Sequence, residues 1–370
     1  MIHAHAGQVR NTNNVAENLS GFSGSRLMMR ILLVSDAWYP QVNGVVTTYN
    51  NVIAKLEGNQ DVDITVLHPS EFPTMTCPFY PEIRLTLASW PRIWRVIDKY
   101  EPEAIHIATE GPLGMCARTF CMEHEIPFSS AYHTQFPHYL NKYLRIPKKI
   151  TYEYLRWFHA PSMAVMVPTL RVRDELQAQK FENLIIWTRG VHLDKYYPGP
   201  ATVFEDLPRP IFLYVGRVAK EKNIEAFLKL DLPGTKAIVG DGPARKSLEL
   251  KFPDAVFCGV KTGDELAAHY RSSDVFVFPS MTDTFGVVML EAMASGLPVA
   301  GYPVTGPADV ITNDKAGCLD WDLQKAALQC LELKKEDCVE FASGFSWDIV
   351  ANQFKRHIQP FPPPDFSPEY

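Results

Sequence analysis

VFVFPSMTDTFGVVMLEAMASGLPVAG, residues 275–301, reads as one complete crossover unit. Val275–Phe278 is a short apolar run stopped by Pro279, the length of a strand buried on both faces. A polar loop follows, then a helix from about Gly286 to Ser295, then a second short run at Pro298–Gly301. Two buried strands joined through a helix run parallel, because the crossover brings the chain back to the same end of the sheet.

The same alternation extends in both directions. Upstream come Ile211–Val215, a helix from Asn223, Lys236–Val239, a helix from Pro243, Ala255–Cys258 and a helix near Asp264–Arg271. Earlier still lie Ile31–Val34, a helix to about Lys55, Asp63–Leu67, Ile83–Leu87, a helix over Arg92–Tyr100, Ala104–Ile107, a helix near Gly111–Met122, Pro127–Ala131, Ser162–Val167, a helix over Leu170–Gln179, and Leu184–Trp187. Gly190–Pro210, with five prolines and glycines at 198–200, 208 and 210, interrupts the pattern and reads as a linker. The expectation is an α/β chain of two Rossmann-like, doubly wound parallel-sheet domains, residues 29–197 and 198–345, facing a central cleft. A flexible extension (1–28) precedes them. A terminal helix returning to the first domain and a Pro-rich tail (346–370) follow. In such folds ligands bind outside the carboxyl ends of the strands.

Composition narrows the class. Of 370 residues, 46% are hydrophobic and 21% charged, as in soluble globular proteins, and no apolar run reaches the ~18 residues of a membrane span. Residues 1–200 carry 19 basic and 18 acidic side chains, a net +1; residues 201–370 carry 17 and 24, a net −7. That balance excludes a general nucleic-acid binder. The seven cysteines form no C-x-x-C pair and read as buried thiols in a reducing cytoplasm.

Chemistry gathers at the ends of strands. Gly216-Arg217 directly follows Ile211–Val215, and Lys222 comes five residues after the arginine. A guanidinium fork and an ammonium point charge suit a diphosphate leaving group; a solvated pair on a loop is the alternative. After Pro279, Asp283 stands in the loop, free to accept from sugar hydroxyls or to cap the next helix. Thr284-Phe285-Gly286 turn backbone amides toward whatever lies ahead of that helix. Glu291 is a carboxylate in an otherwise apolar helix and needs a partner. Gly44, after Asn43, permits close backbone approach to a ligand, or is an ordinary turn glycine. His133 follows the strand ending at Ala131, either functional or simply packed.

These strings, taken together, resemble a GT-B-fold glycosyltransferase of family 4 (group 1), a retaining, nucleotide-sugar-dependent family, most closely its glycolipid-forming branch. The carriers are SDAWYPQVNGVVTT (35–48), HIATEGPLG (106–114), AYHTQFPHYL (131–140), WTRGVHLDKYYPG (187–199), VGRVAKEKN (215–223), VGDGP (239–243) and TDTFGVVMLEAMASGLPV (282–299), in family order. The resemblance implies that Arg217 and Lys222 neutralise the donor diphosphate. It implies that Asp283 contacts the transferred sugar and Glu291 the donor ribose. Gly216, Thr284, Phe285 and Gly286 would contact the donor, Asn43 and Gly44 would approach its diphosphate, and His133 would lie beside the reacting sugar. The sequence departs from the family at Asp283, where Glu is common and the side chain is shorter by ~1.5 Å. It departs also at Asn223, where Gly is common, and at His192, where Asp is common.

A dehydrogenase would need a Gly-rich turn after the first strand, and Gly44 stands alone there; Gly240-Asp241-Gly242-Pro243-Ala244-Arg245 lacks the third glycine. Asp61-Val62-Asp63 precedes a strand and reads as a turn, so no metal or other cofactor is expected. A sugar-nucleotide epimerase and a non-catalytic sugar-nucleotide-binding module are the remaining rivals. The expected reaction is hexosyl transfer from a UDP-sugar, GDP-mannose or similar donor to a membrane (glyco)lipid such as diacylglycerol or phosphatidylinositol, or else to a soluble or polysaccharide acceptor. An anionic membrane surface is the expected partner, on the inner face of the cytoplasmic membrane. Its proposed contacts are Lys142, Arg145, Lys148, Lys149 and Arg156, interleaved with Tyr139, Tyr143, Tyr152, Tyr154, Trp157 and Phe158, and a second patch at Trp90–Arg95.

Overall fold

The computed structural model describes residues 28–39, 44–58, 62–77, 80–87, 90–133, 145–281, 283, 285–358 and 360. The first half contains β1 (Met29–Val34), α1 (Gly44–Gly58), β2 (Val62–Leu67), β3 (Thr74–Cys77), β4 (Tyr80–Thr86), α2 (Trp90–Tyr100), β5 (Ala104–Ile107), α3 (Pro112–Glu123), β6 (Ser129–Ala131), α4 (Lys148–His159), β7 (Ala164–Val167), α5 (Leu170–Ala178) and β8 (Leu184–Ile186). The second contains β9 (Ile211–Val215), α6 (Ile224–Leu228), β10 (Thr235–Val239), α7 (Arg245–Lys251), β11 (Val256–Gly259), α8 (Gly263–Arg271), β12 (Val275–Phe278), α9 (Val287–Ala294), β13 (Val299–Gly301), α10 (Pro307–Val310), β14 (Gly317–Leu319), α11 (Leu323–Cys330), α12 (Lys335–Ser343) and α13 (Trp347–His357).

Two six-stranded sheets result, in the orders β2-β1-β5-β6-β7-β8 and β11-β10-β9-β12-β13-β14, and every pairing in both is parallel. Helices cover both faces, which is why β9 and β12 are apolar and buried at every position. The second sheet has the full Rossmann order, reversing between β9 and β12; the first reverses between β1 and β5.

One expected member of the alternation lies elsewhere. Of the expected Ile83–Leu87, Ile83–Thr86 belongs to β4, which pairs antiparallel with β3 in a separate two-stranded ribbon. The reason is legible in Glu82-Ile83-Arg84-Leu85-Thr86, which alternates polar and apolar with period two, the pattern of a half-exposed antiparallel strand. The three-residue β14 carries too little apolar sequence to be found by that signal.

The cores show how the chain closes. Leu32, Val34, Ile105 and Ile107 face Ile93, Ile97, Leu113 and Phe120 of α2 and α3. On the opposite face, Ile31 and Leu33 share a core with Tyr49, Val52 and Leu56 of α1 and with Val350, Ala351 and Phe354 of α13. The last helix therefore packs into the first domain. Trp187 Nε1 donates to the Val350 carbonyl at 3.1 Å, and the Phe354 ring lies 5.2 Å from Trp187 and 5.0 Å from His106. Gly190–Pro210 is itself packed: Val191 and Tyr196 are buried in the second domain's core, and Val191 N–H donates to Phe345 O at 2.8 Å. An ion pair, Arg171 Nε to Asp309 Oδ1 at 3.2 Å, joins α5 to α10 across the domains.

Phe354→Ala removes the aromatic side chain that seats α13 under the first sheet. Truncating a buried Phe costs ~3–5 kcal/mol. Denaturant unfolding followed by tryptophan fluorescence, for which Trp187 is the adjacent reporter, should show that loss; a change below ~1 kcal/mol would mean that α13 is not part of this core.

Candidate functional site

The reversal between β9 and β12 splays the two following loops apart and leaves a crevice at their carboxyl ends. The loop after β9 is stitched to the one after β10: Gly216 N–H donates to Val239 O at 3.0 Å and Val218 N–H to Asp241 O at 2.8 Å. Gly240 makes this possible. Its φ is +136°, and a Cβ there would sit 1.9 Å from Gly216 O. The glycines of VGDGP thus serve loop packing, which accounts for them without a dinucleotide.

The chain then turns through Lys220–Lys222 and places Lys222 Nζ 2.5 Å from Asp283 Oδ1. The ion pair connects the loop after β9 to the loop after β12. Asn223 braces the same junction, its Nδ2 donating to Pro279 O at 3.1 Å. Its φ is +54°, a left-handed conformation that Gly takes freely and Asn tolerates, so the departure from Gly at this position is conformationally conservative. Asp283 does not cap α9; the cap position is Gly286, at φ +82°, with no side-chain hydrogen bond. Asp283 Oδ2 is buried and has no hydrogen-bond partner among the described residues. Arg217 is exposed beside them, its carbonyl accepting from Tyr214 Oη at 3.1 Å. Phe285 is buried in the core, anchoring the turn by its ring.

Glu291 finds its partners one layer back. Tyr270 Oη donates to its Oε2 at 2.9 Å, and Tyr196 donates as well. Burial pushes this carboxyl above the usual range, and the two phenol hydrogen bonds oppose the shift.

On the first domain, Gly44 opens α1 in an exposed position, and a Cβ there would meet nothing within 4 Å, so packing among the described residues does not demand glycine. Asp36, after β1, braces α3: its carboxylate accepts from Leu113 N–H at 2.8 Å, Gly114 N–H at 3.0 Å and Thr109 Oγ1 at 2.9 Å. Burial raises its pKa against those hydrogen bonds. His133 has both ring nitrogens engaged, Nε2 with Tyr49 Oη at 2.8 Å and Nδ1 with Arg189 Nη2 at 2.9 Å. Tyr49 Oη also meets His106 Nε2 at 2.7 Å, and His106 Nδ1 meets Ser129 Oγ at 2.8 Å. Burial and the Arg189 charge hold His133 well below the ordinary histidine pKa, and burial lowers His106 to about 3.

The structure therefore brings Gly216, Lys222, Asp283 and Gly286 to the carboxyl end of the second sheet's central strands, with exposed Arg217 next to Gly216 in the same loop, sets Glu291 against tyrosines behind α9, and puts Gly44 and His133 on the first domain. Asn43 and Thr284 lie outside the described residues, as does the extension before residue 28. Asp36, Tyr49, His106 and Arg189 escape motif reading, although Asp36 and His106 stand in two of the quoted strings and Arg189 in a third. Of the basic stretch, Tyr139, Lys142 and Tyr143 are outside the described residues. The second patch turns Ile93 inward and sets Trp94 against Phe120 and His124 of the α3 end, leaving Arg92 and Arg95 outward. Among the described residues no group of three or more His, Cys, Asp or Glu is placed to hold a metal ion.

Two doubly wound parallel-sheet domains, closed by a last helix that packs into the first, define a GT-B protein. The solved structure of sucrose-phosphate synthase (tll1590) from Thermosynechococcus elongatus shares the fold, with a TM-score of 0.71 at 19% identity over 89% of this chain and 98% of that one. Residues 42–195 match the model for Glycosyltransferase Family 4, and residues 209–335 the model for Glycosyl transferases group 1. Sulfoquinovosyl transferase SQD2 of Arabidopsis thaliana is 31% identical over 77% of this chain, which spans 62% of SQD2's length. A GDP-mannose-dependent alpha-mannosyltransferase of Mycobacterium tuberculosis is 29% identical over 90% of this chain and 96% of its own. Alpha-monoglucosyldiacylglycerol synthase of Streptococcus pneumoniae is 27% identical over 90% and 85%. The chain belongs to the family 4, group 1 glycosyltransferases, in agreement with the resemblance its motifs carry.

The raised carboxyl of Glu291 makes a signed prediction. A carboxyl whose folded pKa lies above its unfolded value favours folding below the unfolded pKa, and that contribution is lost as pH rises through the folded one. Glu291→Gln should therefore melt higher than the wild type at neutral pH, with the difference shrinking in acid. An unchanged or lower melting temperature at neutral pH would show that the tyrosine hydrogen bonds outweigh burial.

Proposed function

We propose that the protein moves a hexose-type sugar from a nucleoside-diphosphate sugar to a hydroxyl of a membrane (glyco)lipid, with retention of the donor's α configuration and without a metal ion. The observation that carries this reading is the Lys222–Asp283 pair at the strand-order reversal, beside exposed Arg217 and the uncapped start of α9. An ammonium has three donors. One serves Asp283, and the others are available to a diphosphate, with Arg217 and the α9 amides adding to the anion site. Asp283 Oδ2, buried without a partner among the described residues, is the acceptor for a sugar hydroxyl. Gly44, where packing leaves open space, admits the diphosphate from the first domain. Asn43, Gly216, Thr284, Phe285 and Glu291 complete the donor contacts in this reading.

In the transfer, the acceptor oxygen bonds to the anomeric carbon as its bond to the diphosphate oxygen breaks, and the acceptor proton leaves with the phosphate. His133, with both ring nitrogens engaged, is not free as a base or nucleophile. That supports attack on the face the phosphate leaves. Removing one preorganised electrostatic contact to a developing charge costs on the order of 10²–10³ in turnover. Lys222→Ala should show that loss against a panel of UDP- and GDP-sugars, and a folded variant with near-normal turnover would sink the assignment. Arg217→Ala is expected to follow it.

The acceptor reading rests on α4. Ile150, Tyr154 and Trp157, 57%, 40% and 51% exposed, lie on one outward face, with Lys148 and Lys149 exposed at its start. Arg118 stacks on Trp157 at 4.0 Å and holds the indole in place. Exposed aromatic rings suit a headgroup layer, and basic side chains near an anionic bilayer are worth about 1 kcal/mol each. Among the described residues no helix is long and apolar enough to cross a membrane, so the proposed attachment is peripheral, on the inner face of the cytoplasmic membrane. The diacylglycerol-glycosylating relative supports a lipid acceptor. The protein should float with anionic liposomes at low salt, and Lys148→Glu with Lys149→Glu should abolish flotation. No binding to such vesicles, with transfer only to free sugars, would replace the lipid by a soluble glycan.

A further inference from the structure

Arg189 carries a buried charge that no carboxylate meets among the described residues. It is 8% exposed, and burial lowers its pKa to about 10, a shift that Tyr49 opposes. Its Nη1 donates to the carbonyls of Trp187 and Thr188 at 3.3 and 3.4 Å, and its Nη2 points at His133 Nδ1, 2.9 Å away. A guanidinium can only donate. His133 Nδ1 is therefore the acceptor and its proton sits on Nε2, donated to Tyr49 Oη. The Tyr49 hydroxyl then has its own proton free for His106 Nε2, and His106 donates from Nδ1 to Ser129 Oγ. One fixed donor thus sets the polarity of four successive hydrogen bonds. The ring cannot turn away, because Tyr49 and Trp187 pack against it with centroids at 5.2 and 5.8 Å.

We propose that Arg189 is a positioning residue of the transfer site: it holds His133 as the neutral imidazole protonated at Nε2, and through Tyr49 it holds His106 as the tautomer protonated at Nδ1. This rests on the reading of the cleft as a glycosyl-transfer site with His133 beside the sugar. Positive charge builds on the sugar as the diphosphate departs, and an imidazolium at that place would oppose it. Among the described residues, the titratable groups facing the ring are Tyr49 from α1, His106 from β5 behind it, Arg189 itself and, farther off, His159 from α4. None is a carboxylate, so none favours the imidazolium, and Arg189 occupies the one nitrogen where a proton would be added.

Histidine ¹⁵N NMR of the full chain, with the His133 signals assigned from His133→Asn, reads the tautomer directly. In the wild type, His133 should show a bare Nδ1 and a protonated Nε2, and His106 the reverse, unchanged between about pH 8 and about pH 6, the range in which an ordinary imidazole titrates. In Arg189→Met, His133 should titrate within that range. By the scale of outer-shell partners of functional imidazoles, kcat should fall roughly ten- to a hundredfold, more at the acid end, with donor KM nearly unchanged. Arg189→Lys, which keeps a cationic donor, should restore the tautomer and most of kcat. A proton on Nδ1 of His133 in the wild type overturns the proposal, and so does Arg189→Met with unchanged tautomer and kcat, or with its whole loss in KM. If Arg189→Met does not fold, the wild-type spectrum and Arg189→Lys still decide. A wild type that transfers no sugar from any nucleoside-diphosphate donor refutes the functional reading instead, and the spectra then decide the tautomer on their own.

Discussion

A parallel sheet whose strand order reverses must send neighbouring crossovers to opposite faces. That constraint governs the second domain. β9 and β12 lie side by side, yet their loops part, and the opening between them cannot be closed by backbone pairing. Side chains hold it instead. Lys222 reaches Asp283 and Asn223 reaches the Pro279 carbonyl, each spanning more than fifty residues of sequence to join loops that the sheet holds apart. The close backbone approach of Gly240 to Gly216 fixes where the first loop can run. The charges at the crevice are thus placed by the same bonds that keep it open.

The first sheet meets the same constraint between β1 and β5 and answers it differently. Asp36, at the end of β1, turns its carboxylate onto the first amides of α3. The start of that helix is therefore occupied by a side chain of this protein, whereas among the described residues no side chain caps the start of α9. One switch point is filled by a carboxylate of the protein itself, and in the proposed function the other receives an external anion. In the proposed reaction this division assigns the diphosphate to the second domain. The first domain supplies an uncharged wall of His133, Tyr49 and Trp187, packed against α13. Because α13 follows the second domain in sequence, that wall is complete only when the chain has crossed back, although each sheet keeps its own core.

What could be read from sequence follows from how each feature is encoded. Strands buried on both faces are continuous apolar runs, so β1, β9 and β12 are visible as strings of four or five residues. Lys222 and Asp283 are visible because each stands a fixed few residues past such a strand. The β3–β4 ribbon was open to the same reading, but by its period of two rather than by an apolar run. The pairings themselves are another matter. Asp36 with Leu113, Tyr49 with His106 and His133, and Arg189 with His133 join residues 56 to 84 positions apart. No local periodicity marks such partners; only the strand order brings them together. Glu291 shows the limit from the other side: its need for a partner was plain from an apolar helix, while Tyr270 and Tyr196 could be named only once α8 and the packed segment before β9 were placed.

The charge balance of the two halves acquires a physical meaning in this frame. The second half carries a net −7, yet in the proposed function it receives an anionic donor. Attraction by the domain's overall field would act in the wrong direction, and at physiological ionic strength such a field fades within about 8 Å in any case. Recognition must then be local, through Lys222, Arg217 and the α9 amides acting at contact distance where screening is weak. The first half, close to neutral overall, keeps its exposed lysines at the start of α4 beside exposed Ile150, Tyr154 and Trp157. An anionic surface would attract that half and repel the other, so it would orient the molecule with α4 toward the bilayer and the donor crevice turned to water, where a soluble nucleotide sugar arrives.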